Sequence, residues 1–235
     1  MNKKLALALS LGVFTACGGD DDGGSDVEVT SNPAQATATV TQINTFSTAF
    51  ASADGASAAT AAYSMGASAG SIVTPSAEGQ ARKTGPAFAS PEGCVCDESG
   101  CTFTDCGDVS GTWEIDGTIS KSGDTYTFDY TMAFNQVGYQ WTFDTEGELT
   151  ISATLIDGDL SSNGDGTFDD GQGNSYESSW GWDMTANDIT LDGTGCAVGG
   201  SMDASVDYSG TVNGQSYSYS GDATVTFGPG CGQAQ

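Results

Sequence analysis

Between Trp113 and Phe227 the chain repeatedly places apolar side chains at every second position. Trp113, Ile115 and Ile119 alternate with polar residues, with Gly117 in phase. The same period runs through Tyr126, Phe128, Tyr130, Met132 and Phe134, then Tyr139, Trp141 and Phe143, and then Leu149, Ile151, Ala153 and Leu155. Trp180, Trp182 and Met184 continue it, followed by Val206 and Tyr208, Tyr217 and Tyr219, and Ala223, Val225 and Phe227. The intervening positions are mostly Thr, Ser and Asp. A period of two with one apolar and one polar set predicts antiparallel strands with one dry and one wet face.

The punctuation between these runs predicts a meander. Asn213-Gly214 is the strongest short signal for a two-residue turn with both central residues at positive φ. If it pairs Val212 with Gln215, then Tyr208 faces Tyr219, Ala204 faces Ala223 and Met202 faces Val225, all on one face. Continued outward, the same register brings Cys196 opposite Cys231, at a hydrogen-bonded position that calls for a bulge. Asn135-Gln136-Val137-Gly138 reads as a four-residue loop and Thr145-Glu146-Gly147 as a three-residue hairpin with Gly in the left-handed position. The expected fold is mainly β: an antiparallel up-and-down meander of about eight strands, closed as a barrel or strongly curled. A single dry face must be covered by closure or by helices.

Upstream the period changes. Asn32-Pro33 reads as a helix start, with Asn as cap and Pro at the first helical position. Val40, Ile43, Phe46 and Phe50 follow at helical spacing, and Asp54-Gly55 stops the run. Ala56 to Ala67 reads as a second, alanine-rich helix, with low-complexity disorder as its rival. The expected organisation is therefore a helical segment at 32–70, a loop with a cysteine cluster at 71–100, and a β-domain at 101–235.

The first residues carry a different message. Lys3 and Lys4 precede an apolar run from Leu5 to Phe14, with small Ala16 after it: the three zones of an export signal. The run falls short of the ~20 apolar residues of a spanning helix. Phe14-Thr15-Ala16-Cys17 resembles the lipobox of bacterial lipoproteins, with Phe14 where Leu is usual. The resemblance implies removal of residues 1–16 and acylation of Cys17 by fatty chains such as palmitate. It also implies a cell-envelope location, on the outer membrane and facing the periplasm or the surface. Residues 17–31 are then an acidic, Gly-rich tether, and acidic runs of this kind resemble surface-export signals of some bacterial groups.

Export rationalises the cysteine count. Seven cysteines leave an odd one; with Cys17 assigned to lipid, Cys94, Cys96, Cys101, Cys106, Cys196 and Cys231 can form three disulfides in an oxidising compartment. The first four would pair among themselves, with only the cramped Cys94–Cys96 option excluded. Their spacing lacks the paired C-x2-C signature of a zinc site. The chain has 235 residues and a formal charge of −26, which opposes nucleic acid and anionic lipid headgroups as partners. The expected partner is thus the membrane, through the anchor, with any protein or glycan partner left open. Such an acidic, lysine-poor composition resembles exported proteins of marine or halophilic bacteria.

Histidine is absent, which removes Ser-His-Asp, Cys-His and histidine-based zinc chemistry together. No phosphate-binding loop is present. The chain reads as non-enzymatic, with a carboxylate-only glycosidase as a distant third reading. No cofactor is expected, with one exception to weigh. In residues 157–174, Asp159, Ser161, Asn163, Gly164, Asp165 and Asp170 fall on the ligand and glycine positions of an EF-hand-like calcium loop; a solvated hairpin loop is the simpler reading. Trp180 and Trp182 lie on one face of one strand. Aromatic platforms beside Asp and Asn resemble sugar-binding modules, and an aromatic-lined barrel resembles lipocalins, but aromatics at period two also simply build cores.

Overall fold

The computed structural model describes residues 29–51, 58, 61, 73–75, 92–97, 99–107, 111–169, 175–231 and 233–235. The signal-like run, Cys17, the tether up to residue 28 and Asp170 lie outside the described residues. Nine strands form one antiparallel sheet in strict sequence order: β3 (Glu92–Asp97), β4 (Gly100–Gly107), β5 (Trp113–Ser122), β6 (Thr125–Gln136), β7 (Tyr139–Ile151), β8 (Leu155–Asp169), β9 (Ser175–Leu191), β10 (Ala197–Val212) and β11 (Gln215–Thr226). A separate two-stranded sheet pairs β1 (Val29–Ser31) with β2 (Val73–Pro75).

The fold is thus the expected mainly-β meander, with one strand more than counted. The alternative of a closed barrel is not realised, since β3 and β11 do not pair with each other. The curled sheet is covered by a helix instead. Helix α1 (Pro33–Ala51) starts as the sequence predicts, with Asn32 Oδ1 accepting from the N–H of Gln35. Its buried face is Ala36, Thr39, Val40, Ile43, Phe46, Ala49 and Phe50. Phe46 packs on Tyr126 and Phe128, and Phe50 on Tyr126, with ring centroids 5.0–5.4 Å apart. Lys121 Nζ lies 5.0 Å from the Tyr126 ring centre and 5.7 Å from that of Phe50, binding helix to sheet by cation–π attraction. Of the second expected helix only Ala58 and Ala61 are described; both are helical and buried.

The register expected from Asn213-Gly214 holds from Val212↔Gln215 out to Ser201↔Thr226, including Tyr208↔Tyr219 and Met202↔Val225. Asn213 and Gly214 have φ of 50° and 81°, as a primed turn requires. Three other expectations need correction. The loop at 135–138 contracts to Val137-Gly138, with Gln136 paired to Tyr139. Thr145-Glu146-Gly147 is not a hairpin: β7 runs through it, paired on both sides. The turn falls at Ala153-Thr154, which splits the run Leu149 to Leu155, because Ser152 Oγ accepts from the N–H groups of Thr154 and Leu155. Gly147 has φ +143°, and a Cβ there would lie 2.4 Å from the carbonyl oxygen of Asp159; the glycine serves close approach of strands, not a turn. Finally, the expected loop at 157–174 is strand β8 as far as Asp169.

All six cysteines after Cys17 are paired, as Cys94–Cys106, Cys96–Cys101 and Cys196–Cys231. Cys96 and Cys101 are direct cross-strand partners. Cys196 and Cys231 lie outside the β10–β11 ladder, which ends at Ser201↔Thr226 without the expected bulge; the register shifts at Ala197, Gly199 and Ser201 belong to the pairing of β10 with β9.

Candidate functional site

The two faces of the sheet offer two different chemistries. On the dry face, beyond the rings that meet α1, aromatics continue towards the other end of the strands. Phe134 stacks on Phe143 at 6.2 Å, Phe143 meets Trp180 at 5.5 Å, and Trp180 meets Trp141 at 6.3 Å. Tyr208 pairs across strands with Trp180 and stacks on Tyr217 at 5.5 Å, their hydroxyls 3.1 Å apart. The row therefore spans β6 to β11. Most of its members are half-buried: Phe134, Phe143, Trp180, Tyr208 and Tyr217.

Glycines make this row possible. Gly164 and Gly166 of β8 lie on the same face, and a Cβ on Gly166 would sit 2.5 Å from Trp141 Cδ2. The indole lies against a bare backbone. Likewise a Cβ on Gly164 would be 2.7 Å from Phe143 Cβ, and one on Gly210 would be 2.5 Å from the Tyr217 hydroxyl. Ring against strand glycine is a known way to fill the gap left by a missing side chain. Of the two candidate tryptophans, Trp180 belongs to this row and is half-buried, whereas Trp182 is buried in the core.

Between the helix-covered end and the aromatic row runs a buried polar connection that the alternation pattern does not announce. Thr145 Oγ1 donates to Ser162 Oγ at 3.0 Å, and Ser162 Oγ donates to the Asp144 carbonyl at 2.8 Å. The Tyr130 hydroxyl bonds to Thr145; burial pushes its pKa up to about 12 against the opposing pull of that bond, so it stays protonated. Farther along, burial also raises Tyr219, and Tyr217 is raised by burial and by its Tyr208 neighbour.

The wet face is acidic. Across the strands its carboxylates mostly alternate with hydroxyls that donate to them: Thr131 to Asp144, Ser205 to Asp183, and Thr224 to Asp203. Asp203 also accepts from Asn187 Nδ2 at 2.7 Å. Two like-charged pairs stand directly opposed, Asp129 with Glu146 and Glu148 with Asp159.

The residues of the expected calcium loop are spread along this face. Asp159, Ser161, Asn163 and Asp165 occupy successive wet positions of β8, so neighbours are ~7 Å apart along the strand. A calcium ion needs its oxygens within about 2.6 Å of a common centre, and an extended strand does not gather this set. Among the described residues, one trio of ligand-type groups does converge: carboxylate oxygens of Asp105, Glu114 and Asp116 lie within 4.8 Å of one another. Asp116 Oδ1 also accepts the Asp105 N–H at 2.8 Å. Glu114 is raised above the ordinary carboxylate range, first by its hydrogen bond to Asp116, then by desolvation and by the charges of Asp116 and Asp105. Such a trio can share a proton or hold a cation. Glu114 and Asp116 are closer than the ~5–9.5 Å that glycosidase carboxylate pairs keep.

No protein-family model, curated protein or solved structure matches this chain.

Proposed function

We propose that the chain is an exported, lipid-anchored cell-envelope protein whose β-domain is a non-enzymatic structural or binding module. One observation carries the reading. The described fold pairs six of the seven cysteines into disulfides, and the seventh is Cys17, at the position where the lipobox-like stretch sets an acylated cysteine. Disulfides of this density belong to oxidising compartments, which agrees with export. The absence of histidine from the sequence supports a role without acid–base catalysis at neutral pH. Cys17→Ser should abolish labelling by an alkyne fatty acid and release the protein from membranes; membrane retention equal to the parent chain would overturn the anchor.

A second reading concerns what the module binds. The half-buried aromatic row from Phe134 through Trp180 to Tyr217 favours a flat apolar face, such as a sugar ring or a small apolar ligand presents. Glycan-array and native mass-spectrometric screening tests it, with Trp180→Ala expected to weaken any hit at least about tenfold. A hit indifferent to Trp180 lies elsewhere.

A further inference from the structure

The two edges of the nine-stranded sheet are guarded unequally. β3 is short, shifts register between Glu92 and Cys94, carries Glu92 and Asp97, and is tied by two disulfides to β4. β11 is twelve residues long and pairs with β10 without a register shift. From Gln215 to Gly221 it has no charge and no proline. Bulges, charges, prolines and short length are the usual protections of a sheet edge, and this stretch of β11 has none of them; the β1–β2 ribbon lies close to β11 but forms no ladder with it.

Strand alternation decides which backbone groups face outward. Thr226 exchanges both of its hydrogen bonds with Gln235, on the side away from β10, whereas the N–H of Phe227 donates to Gly200 at the β10 side. Even-numbered residues of β11 therefore aim N–H and C=O outward. At Thr226 the tail of the chain takes these groups, in an isolated antiparallel bridge. At Ser216, Ser218, Ser220 and Asp222 no described residue takes them.

We propose that the outer edge of β11 adds a second copy of this chain, antiparallel, about a two-fold axis at Ser218. The identity of the occupant follows from the sequence of the edge. Ser216-Tyr217-Ser218-Tyr219-Ser220 reads the same in both directions, as a self-complementary two-fold contact requires. Pairing Ser218 with its own copy sets Ser216 opposite Ser220 and Tyr217 opposite Tyr219. The serines then occupy the hydrogen-bonded, wet positions. The tyrosines occupy the closely spaced pairs on the dry side, where aromatic cross-strand contacts stabilise a ladder. Charge agrees: two copies of a chain at −26 meet with least repulsion along a stretch that carries no carboxylate. Their remaining repulsion is long-range, so the contact strengthens as salt shortens the Debye length.

Sedimentation velocity of the full chain tests this at about 0.1 and about 1 M sodium chloride, where that length is about 10 and about 3 Å. The expected result is a monomer–dimer equilibrium about tenfold tighter at the higher salt. Ser218→Pro removes an outward N–H without touching a bond to β10, and Ser218→Asp opposes two carboxylates across the axis; both should leave only monomer. Ser218→Asp keeps the backbone donor and so serves if the proline variant folds poorly, with an unchanged melting temperature as its control. A wild-type chain that is monomeric at both salt concentrations overturns the proposal. So does a dimer that both substitutions leave intact, as association through the apolar N-terminal run would.

Discussion

The ring of Phe46 meets the ring of Tyr126 edge-on, with centroids 5.4 Å apart. Both side chains are almost wholly buried, and this contact seats the helix on a sheet that would otherwise leave its dry face to water. Phe46→Ala should therefore destabilise the domain by about 3–5 kcal/mol, read as a shift of the urea midpoint with an unchanged slope. A loss under 1 kcal/mol would mean that the helix is not part of the core.

The three disulfides should differ in worth according to the loop each closes. Sequence separations are 35 for Cys196–Cys231, 12 for Cys94–Cys106 and 5 for Cys96–Cys101. Loop-closure entropy gives about 4, 3 and 2 kcal/mol respectively. Paired Cys→Ala replacement, measured by denaturant titration, should rank them in that order.

Asp192 organises the turn between β9 and β10. Its Oδ1 accepts from the Thr194 hydroxyl, the Thr194 N–H and the Cys196 N–H at 2.7–3.0 Å. The same bonds, led by the Thr194 hydroxyl, hold its carboxyl below the ordinary Asp value of 3.8. A carboxylate lowered in the folded state stabilises above its unfolded pKa, and that contribution is lost as pH falls through the folded pKa. Asp192→Ala should thus melt at lower temperature than wild type at pH 7, with the gap closing below about pH 4. Melting curves across pH check this; a gap that stays constant into acid would assign the effect to packing alone.

Glu148 directly faces Asp159 across β7 and β8. Like charges in that position destabilise a ladder by up to about 1 kcal/mol. Glu148→Gln should raise the melting temperature at low salt, with the gain shrinking near 1 M sodium chloride as screening replaces the mutation's effect. A gain independent of salt would point away from charge.

Parts of this molecule stand in plain view in the chain. Strands such as Tyr126–Phe134 and Trp180–Met184 show large apolar residues at period two, and Asn213-Gly214 fixes a register that holds out to Ser201 and Thr226, beyond which Cys196 and Cys231 join. Strand β8 was hidden because its dry positions include Ser162, Gly164 and Gly166, small residues that elsewhere mark loops. Their meaning lies in partners on other strands: Trp141 on Gly166, Phe143 beside Gly164, Thr145 bonded to Ser162. Gly147 misled for the same reason, since a glycine for a turn and one for close strand approach look alike in one sequence. The aromatic row was half legible. The spacing of Trp180 and Trp182 gives their shared face, but only the packing separates the buried Trp182 from the half-buried Trp180.

The bond between Thr145 and Ser162 has a consequence for how the sheet avoids mispairing. Alternation forbids a slip by one residue, which would turn a strand inside out, but it tolerates a slip by two, which keeps every apolar side chain facing inward. A two-residue shift of β8 against β7 would part Thr145 from Ser162 and leave buried hydroxyls without partners. It would also slide Ser162 into the place opposite Phe143 that Gly164 leaves open or, in the other direction, Phe168 into the place opposite Trp141 that Gly166 leaves open. The hydroxyl pair and the bare glycines thus act as an index mark. They make one alignment of two long, similar strands cheaper than its nearest decoy, in a meander whose alternation alone cannot tell them apart.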